Sequence, residues 1–122
     1  MTKAPPLRLA DYLGHILDAI ERCHEYVADM DEFAFLTDRK TQDAVVRVIE
    51  VIGEASNNVR KQYPEVVDAH PEIPFAKAVG MCNVLSHGYF QVDLEAVWKV
   101  INADLQPLHE AVRGLLESFQ TP

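Results

Sequence analysis

Apolar residues recur in steps of three and four along three long segments of the chain, and this periodicity limits the fold to packed helices. A strand would instead alternate at every second residue. The first segment has apolar residues at Leu9, Leu13, Ile16, Ile20, Cys23, Val27 and Met30. The second has them at Val45, Val48, Ile52, Ala55 and Val59, and the last at Leu94, Trp98, Ile101, Leu105, Leu108, Val112, Leu115 and Phe119. Each stripe predicts a helix with one buried face.

The second helix is predicted to lie between Asp38 and Tyr63. Thr37 or Asp38 can supply the N-cap oxygen, and Pro64 ends the helix after Tyr63. Gly53 lies inside this helix, where glycine costs about 1 kcal/mol relative to alanine. Either the helix is strained at that point, or another helix packs closely against it.

The later part of the chain predicts one short helix and one long helix. Pro74 suits the first turn of the short helix, which we expect to end near Ser86-His87-Gly88. Asp93 caps the long helix, and Pro107 falls inside it. Because the apolar phase does not slip at Pro107, we predict one kinked helix rather than two, despite a cost of about 3 kcal/mol.

These segments together predict an all-α fold, an antiparallel helical bundle with three long helices and one or two short ones, in a single domain over residues 1–122. Phe33, Phe35 and Leu36 are expected to pack the connection after the first helix onto the core. The periodicity leaves open whether all stripes face one intramolecular core or whether some apolar surface meets a second copy of the chain.

Composition narrows the classes of function. Eleven Lys and Arg against 19 Asp and Glu give a net charge of −8, which argues against a basic nucleic-acid coat but leaves room for one local basic patch. The sequence has neither a signal peptide nor a membrane span, so we expect a cytoplasmic protein. Cys23 and Cys82 lack the spacing of metal ligands and are expected to be reduced thiols, and we predict neither a metal ion nor a cofactor.

His87 differs from the other four histidines in its surroundings. Asn83 lies four residues earlier and therefore on the same helical face, and Gly88 follows directly. A histidine at a helix end is accessible and titrates near neutral pH, as a general acid or base must. The residues alone still favour the simpler interpretation, an imidazolium that faces the negative end of the helix.

Four stretches, taken in order, resemble the HepT family of HEPN-domain proteins. They are residues 44–55 (with Ile-Gly-Glu-Ala), 73–75, 81–90 (with His-Gly-Tyr-Phe) and 92–98. The resemblance implies an all-helical HEPN bundle, usually a homodimer, that acts as the toxin of a toxin–antitoxin module. It implies a metal-independent endoribonuclease whose RNA target is transfer RNA or messenger RNA. It also implies a partner, the minimal nucleotidyltransferase antitoxin MntA, which neutralises the toxin by transferring AMP onto a tyrosine.

The resemblance assigns the family motif (Arg, four residues, His, one residue, Tyr) to particular positions. His87 takes the place of the catalytic histidine, Asn83 that of the polar residue after the arginine, and Tyr89 that of the modified tyrosine. The arginine position is occupied by Cys82. Arginine would offset the charge that develops on the phosphorane oxygens, which a neutral thiol cannot do. Its loss costs on the order of 3–4 kcal/mol, or a hundredfold or more in rate.

Three explanations of Cys82 remain open. The substitution is engineered, or it is a natural loss that leaves a non-catalytic module binding a nucleotidyltransferase, or another cation replaces the arginine. The candidate cations are Arg47, Arg60, Lys61 and Lys77. On a regular helix, positions 82 and 87 also lie about 140° apart. Either the helix therefore ends near His87, or the site is completed across a dimer.

Glu54 lies beside an apolar stripe, between Gly53 and Ala55. A buried carboxylate needs a partner. We therefore expect Glu54 to support the site through a hydrogen bond or ion pair across the bundle, near the His87 end. The family arginine is a candidate partner, and Cys82 would leave Glu54 less compensated.

Overall fold

A long helix in the middle of the chain organises the fold. The computed structural model describes residues 8–84 and 92–120, with side chains for residues 8–81 and 92–119. Within these residues there are seven α-helices and no strand: α1 (Leu9–Tyr26), α2 (Glu32–Leu36), α3 (Arg39–Gln62), α4 (Pro64–Ala69), α5 (Phe75–Val84), α6 (Leu94–Ala103) and α7 (Leu105–Gln120). The predicted all-α bundle is confirmed, with more short helices than expected. No helix in the described ranges is both long and apolar enough to cross a membrane.

Helix α3 packs mainly against α1 and α5. Its predicted stripe is buried throughout, at Val45, Val48, Ile52, Ala55 and Val59. A second buried stripe runs beside it, at Ile49, Gly53 and Ser56. The helix is unbroken through Gly53, which supports close packing rather than strain at that position. Each large aliphatic side chain buried in this way contributes roughly 1.5–3 kcal/mol.

Helix α1 follows the predicted stripe for most of its length. Its buried residues include Leu9, Leu13, Ile16, Ile20 and Cys23. The helix ends at Tyr26, so Val27 and Met30, which the periodicity included, lie half-buried in the turn that follows. Asp29 in this turn has a φ of 64°, a left-handed conformation that aspartate adopts more readily than most residues.

The connection after this turn forms the short helix α2, capped by Asp31, whose Oδ1 accepts a hydrogen bond from Ala34 N at 2.8 Å. Phe35 is fully buried, and its ring stacks on Trp98 of α6 with the ring centroids 5.3 Å apart. Phe33 is 75% exposed, so the prediction that it packs onto the core is wrong. Side chains two positions apart on a helix are rotated by about 200°, so Phe33 and Phe35 cannot both face the core.

Two contacts between distant parts of the chain show that neighbouring helices run in opposite directions. Gln62 Nε2, at the end of α3, donates a hydrogen bond to Tyr12 Oη, in the first turn of α1, at 3.1 Å. Glu21 Oε2, late in α1, lies 2.8 Å from His109 Nε2, early in α7. The antiparallel order of α1, α3 and α7 follows.

The predicted long C-terminal helix is two helices. Helix α6 ends at Ala103, and α7 begins at Leu105, with only Asp104 between them. Pro107 has no N–H group to donate to the carbonyl of Ala103, and its ring crowds that carbonyl. The hydrogen-bond ladder is therefore interrupted one turn before the proline, and the prediction of one continuous helix is wrong.

The apolar phase nevertheless continues across this junction. The N–H of Asp104 donates to the carbonyl of Val100 at 3.0 Å, and the carbonyl of Asp104 accepts from the N–H of Leu108 at 3.3 Å. These bonds keep the two helices close to one helical register. The stripe consequently stays buried on both sides, at Val97, Ile101, Leu105, Leu108, Val112 and Leu115.

Aspartates at the predicted N-cap positions begin α3 and α6. Asp38 Oδ1 accepts from the backbone N–H of Thr41 at 3.2 Å, and Asp38 Oδ2 accepts from Thr41 Oγ1 at 3.0 Å. Asp93 Oδ1 accepts from the backbone N–H of Ala96 at 3.1 Å. The hydrogen bond from the Thr41 backbone, followed by that from its hydroxyl, holds the pKa of Asp38 below its ordinary value.

Replacing Phe35 by alanine is expected to lower the free energy of unfolding by about 3–5 kcal/mol, because it leaves a cavity beside Trp98. The matched control is Phe33→Ala, for which we expect a change within about 0.5 kcal/mol, since that ring is exposed. Urea denaturation followed by far-ultraviolet circular dichroism measures both. An equal loss in the two variants would contradict this assignment of the core residue.

Replacing Asp38 by alanine is expected to destabilise the protein at neutral pH, because the Thr41 N–H loses its acceptor. The folded carboxyl has a lowered pKa, so its stabilising effect is present above the unfolded value of about 4 and disappears as the pH falls through the folded value. Thermal melts of the two proteins should therefore converge at low pH. Asp38→Asn keeps a capping oxygen without a titrating group, so its difference from the natural chain should be small at neutral pH.

Candidate functional site

The candidate motif begins at the end of α5. The backbone of Cys82 and Asn83 forms the last turn of this helix, and the described side chains on it extend as far as Met81. His87 and Tyr89 lie in residues 85–91, outside the described residues. The predicted end of the helix near His87 and the relation of these four side chains therefore stay predictions.

The described part of α5 is held firmly against the rest of the bundle. Ile73, Phe75, Ala78 and Met81 are buried. The carbonyl of Pro74 accepts from the backbone N–H of Ala78 at 2.9 Å, in agreement with the predicted start of the helix. The motif is therefore preceded by helical residues that are packed in the core.

Lys77, one of the four candidate replacement cations, forms an ion pair with a carboxylate. Its Nζ lies 2.8 Å from Asp104 Oδ1, at the junction of α6 and α7. This contact joins the beginning of α5 to the end of α6, so the two helices run in opposite directions and both have their motif-proximal ends, Val84 and Leu94, on the other side.

Helix α3 carries the other three candidate cations, at different heights. Arg60 and Lys61 lie in its last turn. Arg47 is exposed in its first half. Phe35, which precedes α3, contacts Trp98 in the first half of α6. This contact brings α6 to the beginning of α3, the half of α3 that carries Arg47, and the relation of all three cations to the motif stays a prediction.

Glu54 is exposed, and the expectation of a buried carboxylate is wrong. Its neighbours Gly53 and Ala55 are both buried. Successive residues of a helix are rotated by about 100°, so a residue flanked by two buried positions can still lie outside the buried arc. An exposed carboxylate needs no partner in the bundle. Support of the site by Glu54 remains a prediction.

Two histidines contact carboxylates. The ring of His109 is largely buried, and its Nε2 is 2.8 Å from Glu21 Oε2. The other is His70, whose Nδ1 lies 3.1 Å from Glu72 Oε2. A backbone hydrogen bond within Glu72, followed by the contact with His70, lowers the pKa of Glu72.

The thiol of Cys23 is unsuited to chemistry. It is buried and forms no disulfide with any side chain that the structure describes. Burial raises its pKa to about 12, so it remains protonated at neutral pH. Among the described residues there is also no group of three or more His, Cys, Asp or Glu side chains placed to hold a metal ion.

One contact at the C-terminal end of α3 could not be predicted from the sequence. Tyr12 and Gln62 are hydrogen-bonded although they are 50 residues apart in sequence. Arg8, Arg60 and Lys61 are exposed close to them along the chain. No periodicity or motif joins the start of α1 to the end of α3, so only the fold shows this juxtaposition.

Comparisons with known proteins cover the motif as well as the bundle. The family described as "Ribonuclease HepT-like" matches residues 16–115. A Thermococcus cleftensis protein named "Probable ribonuclease HepT" is 41% identical over 98 residues, which are 80% of this chain and 86% of that protein.

Two proteins of Methanocaldococcus jannaschii are also similar. One, named "Putative RNase MJ1380", is 31% identical over 83% of this chain and 90% of its own length. The other, named "Gamma-glutamylcyclotransferase and putative RNase MJ0434", is 39% identical over 88% of this chain but only 47% of its own length. No solved structure matches the chain.

Proposed function

This chain belongs to the HepT-like ribonuclease family, and on that premise we propose that it is an endoribonuclease toxin that cleaves RNA without a divalent metal ion. The observation that carries the proposal is the family match over residues 16–115, a range that includes Asn83, His87 and Tyr89. Transfer RNA and messenger RNA are both suitable substrates, and the reaction takes place in the cytoplasm.

The proposed reaction uses the ribose 2′-hydroxyl as nucleophile. His87 accepts the proton of this hydroxyl while its oxygen bonds to the adjacent phosphorus. The bond from phosphorus to the 5′-oxygen breaks, and that oxygen takes up a proton from the imidazolium or from water. The products are a 2′,3′-cyclic phosphate and a 5′-hydroxyl. Asn83, one helical turn before His87, is proposed to donate a hydrogen bond to a phosphate oxygen.

Cys82 is the weak point of this chemistry. The charge on the phosphorane oxygens needs a cation, and a thiol with an ordinary pKa of about 8.5 is neutral at pH 7. We therefore expect low activity from the chain as it stands. Cys82 also favours a second candidate function, a non-catalytic helical module that binds a nucleotidyltransferase.

We propose that the active form is a homodimer. On a regular helix, positions 82 and 87 lie about 140° apart, so one helix does not bring them to one face. A site that combines residues of two subunits removes this difficulty. Arg47 of either subunit then becomes the first candidate for the missing cation, since Lys77 is paired with Asp104.

Neutralisation is proposed to occur at Tyr89, by an MntA-like minimal nucleotidyltransferase. The tyrosine oxygen attacks the α-phosphorus of ATP, pyrophosphate leaves, and the phenol proton passes to solvent or a base. The added phosphate and adenosine would lie two residues from His87. Their charge and bulk would repel the RNA backbone and block the site.

Restoring arginine at position 82 is expected to raise RNA cleavage a hundredfold or more, on the order of 3–4 kcal/mol of transition-state stabilisation. The assay compares the chain as it stands with Cys82→Arg on total RNA in EDTA. His87→Ala, in each background, is the control and should abolish cleavage.

The possible outcomes separate the two candidate functions. Cleavage only by Cys82→Arg identifies a nuclease fold disabled by Cys82. Equal cleavage by both chains means that a cation other than residue 82 stabilises the phosphorane. Adding Arg47→Gln to the assay as a third protein tests whether Arg47 is that cation. Two folded, inactive proteins would contradict the nuclease proposal and leave the interaction module.

Tyr89 is expected to be the residue that accepts AMP. Incubation with ATP and the antitoxin should increase the mass of the natural chain by one or more AMP units, and peptide mass spectrometry should locate them on Tyr89. Tyr89→Phe should remain unmodified. Modification of this variant at another tyrosine, such as the exposed Tyr26, would show that the assignment is wrong.

A further inference from the structure

The side of α5 that leads to Asn83 carries only small side chains before it. The buried residues of this helix are Phe75, Ala78 and Met81. Ala76, Gly80 and Asn83 are spaced by four and three residues, so they share another side of the helix. Gly80 is rotated by about 200° from the buried Ala78. We call the side defined by Ala76, Gly80 and Asn83 the outward face of α5.

Packing within the chain does not require glycine at position 80. Ala76 is exposed, and Gly80 is half-buried. A Cβ at position 80 would have no described atom within 4 Å beyond its own stretch of helix. Glycine weakens a helix interior relative to alanine, so its presence here needs another explanation. One use of glycine is to let another molecule approach the backbone closely.

Open space alone does not mark a functional position. Gly14 in α1 and Gly114 in α7 also have space for a Cβ. Gly80 differs from them by its place next to the motif. It lies one turn before Asn83 on the same face, and the rise of the helix between the two positions is about 4.5 Å.

The segment around Gly80 also lacks acidic side chains. Of the 19 Asp and Glu residues, none occurs in residues 73–92, a run of 20 residues. The next-longest runs, residues 1–10 and 55–64, have 10 residues each. Asp104, a carboxylate that contacts α5 from elsewhere, is paired with Lys77 at 2.8 Å. A polyanion that approaches α5 is therefore not repelled by carboxylates of this helix or of its flanking segments.

We propose that an RNA strand lies against the outward face of α5 and that Gly80 is part of this RNA-binding surface. The inference rests on the proposed function, because RNA is taken as the substrate and Asn83 as a contact of its phosphate. A nucleotide next to that phosphate reaches position 80, about 4.5 Å along the helix. Glycine leaves room for its ribose, whereas a larger residue at this position would hold the strand away from Asn83.

The test measures binding of a fluorescent single-stranded RNA by anisotropy, in EDTA. The RNA carries 2′-O-methyl groups, which remove the nucleophile and prevent cleavage. Gly80→Leu and Gly80→Ala are compared with Gly14→Leu and Gly114→Leu, controls that add the same side chain at open positions of other helices. Leucine and alanine favour helices over glycine, so the melting temperatures of all four variants should equal or exceed that of the unchanged chain.

Gly80→Leu is expected to weaken RNA binding about tenfold and Gly80→Ala by a smaller factor, because a larger group displaces the strand further. Gly14→Leu and Gly114→Leu should bind RNA as the unchanged chain does. Equal effects of the three leucine variants, or no RNA binding by the unchanged chain, would overturn the proposal. Analytical ultracentrifugation gives the oligomeric state of each variant. A change in Gly80→Leu alone would assign the outward face of α5 to contact between two copies of the chain and would also overturn the proposal.

Cleavage by Cys82→Arg separates this proposal from the proposed function. If that variant does not cut RNA but Gly80→Leu alone weakens RNA binding, the RNA-binding face stands and the nuclease is wrong. If Cys82→Arg cuts RNA and the addition of Gly80→Leu leaves kcat/KM unchanged, the nuclease stands and the role of Gly80 is wrong.

Discussion

Burial of α3 between α1 and α5 is the constraint on which the rest of the bundle depends. One stripe of α3 consists of branched aliphatic residues, whereas the adjacent stripe includes Gly53 and Ser56. Two helices can approach one helix only if the adjoining faces leave room, and small side chains allow this. The arrangement has a cost, since the Ser56 hydroxyl is buried with no hydrogen-bond partner among the described residues, and glycine weakens the helix. Aliphatic burial along the same helix offsets that cost, so α5 is held in place before the motif begins.

The apolar stripes predicted α1 and α3 well because in these helices the residues at helical spacing are also the ones that the fold buries. They predicted the region around Pro107 less well, because periodicity reports which side of a helix faces the core and not whether each hydrogen bond is made. Asp104 keeps its own helical hydrogen bonds and the apolar phase continues, but Pro107 cannot donate the next bond to the carbonyl of Ala103. Phe33 was predicted to pack onto the core because it is aromatic and close to Phe35 in sequence. The rotation of the helix instead turns its ring to the surface.

The candidate site depends on two different kinds of information. Asn83 and His87 are local, so their spacing could be judged from the sequence, while the roles of Cys82 and Tyr89 came from family resemblance alone. Glu54 was misjudged because adjacency in sequence was taken for burial, whereas adjacent helical residues point in different directions. Pairings such as Lys77 with Asp104 join residues far apart in sequence and could not be predicted without the fold.

The net charge of −8 conceals an uneven distribution along the bundle. From Cys23 to Asp38, between the end of α1 and the start of α3, the chain has five Asp or Glu residues and no Lys or Arg, and α3 then begins with the exposed Arg39 and Lys40. Arg8, Arg60 and Lys61 lie at the other end of α1, which is about 27 Å long. Salt at physiological concentration screens exposed charges over about 8 Å, so the acidic end has little effect on the potential at the other end. The composition argues against a protein surface covered with cations. The affinity of a surface for a phosphate, however, depends mainly on the charges within about one screening length of it.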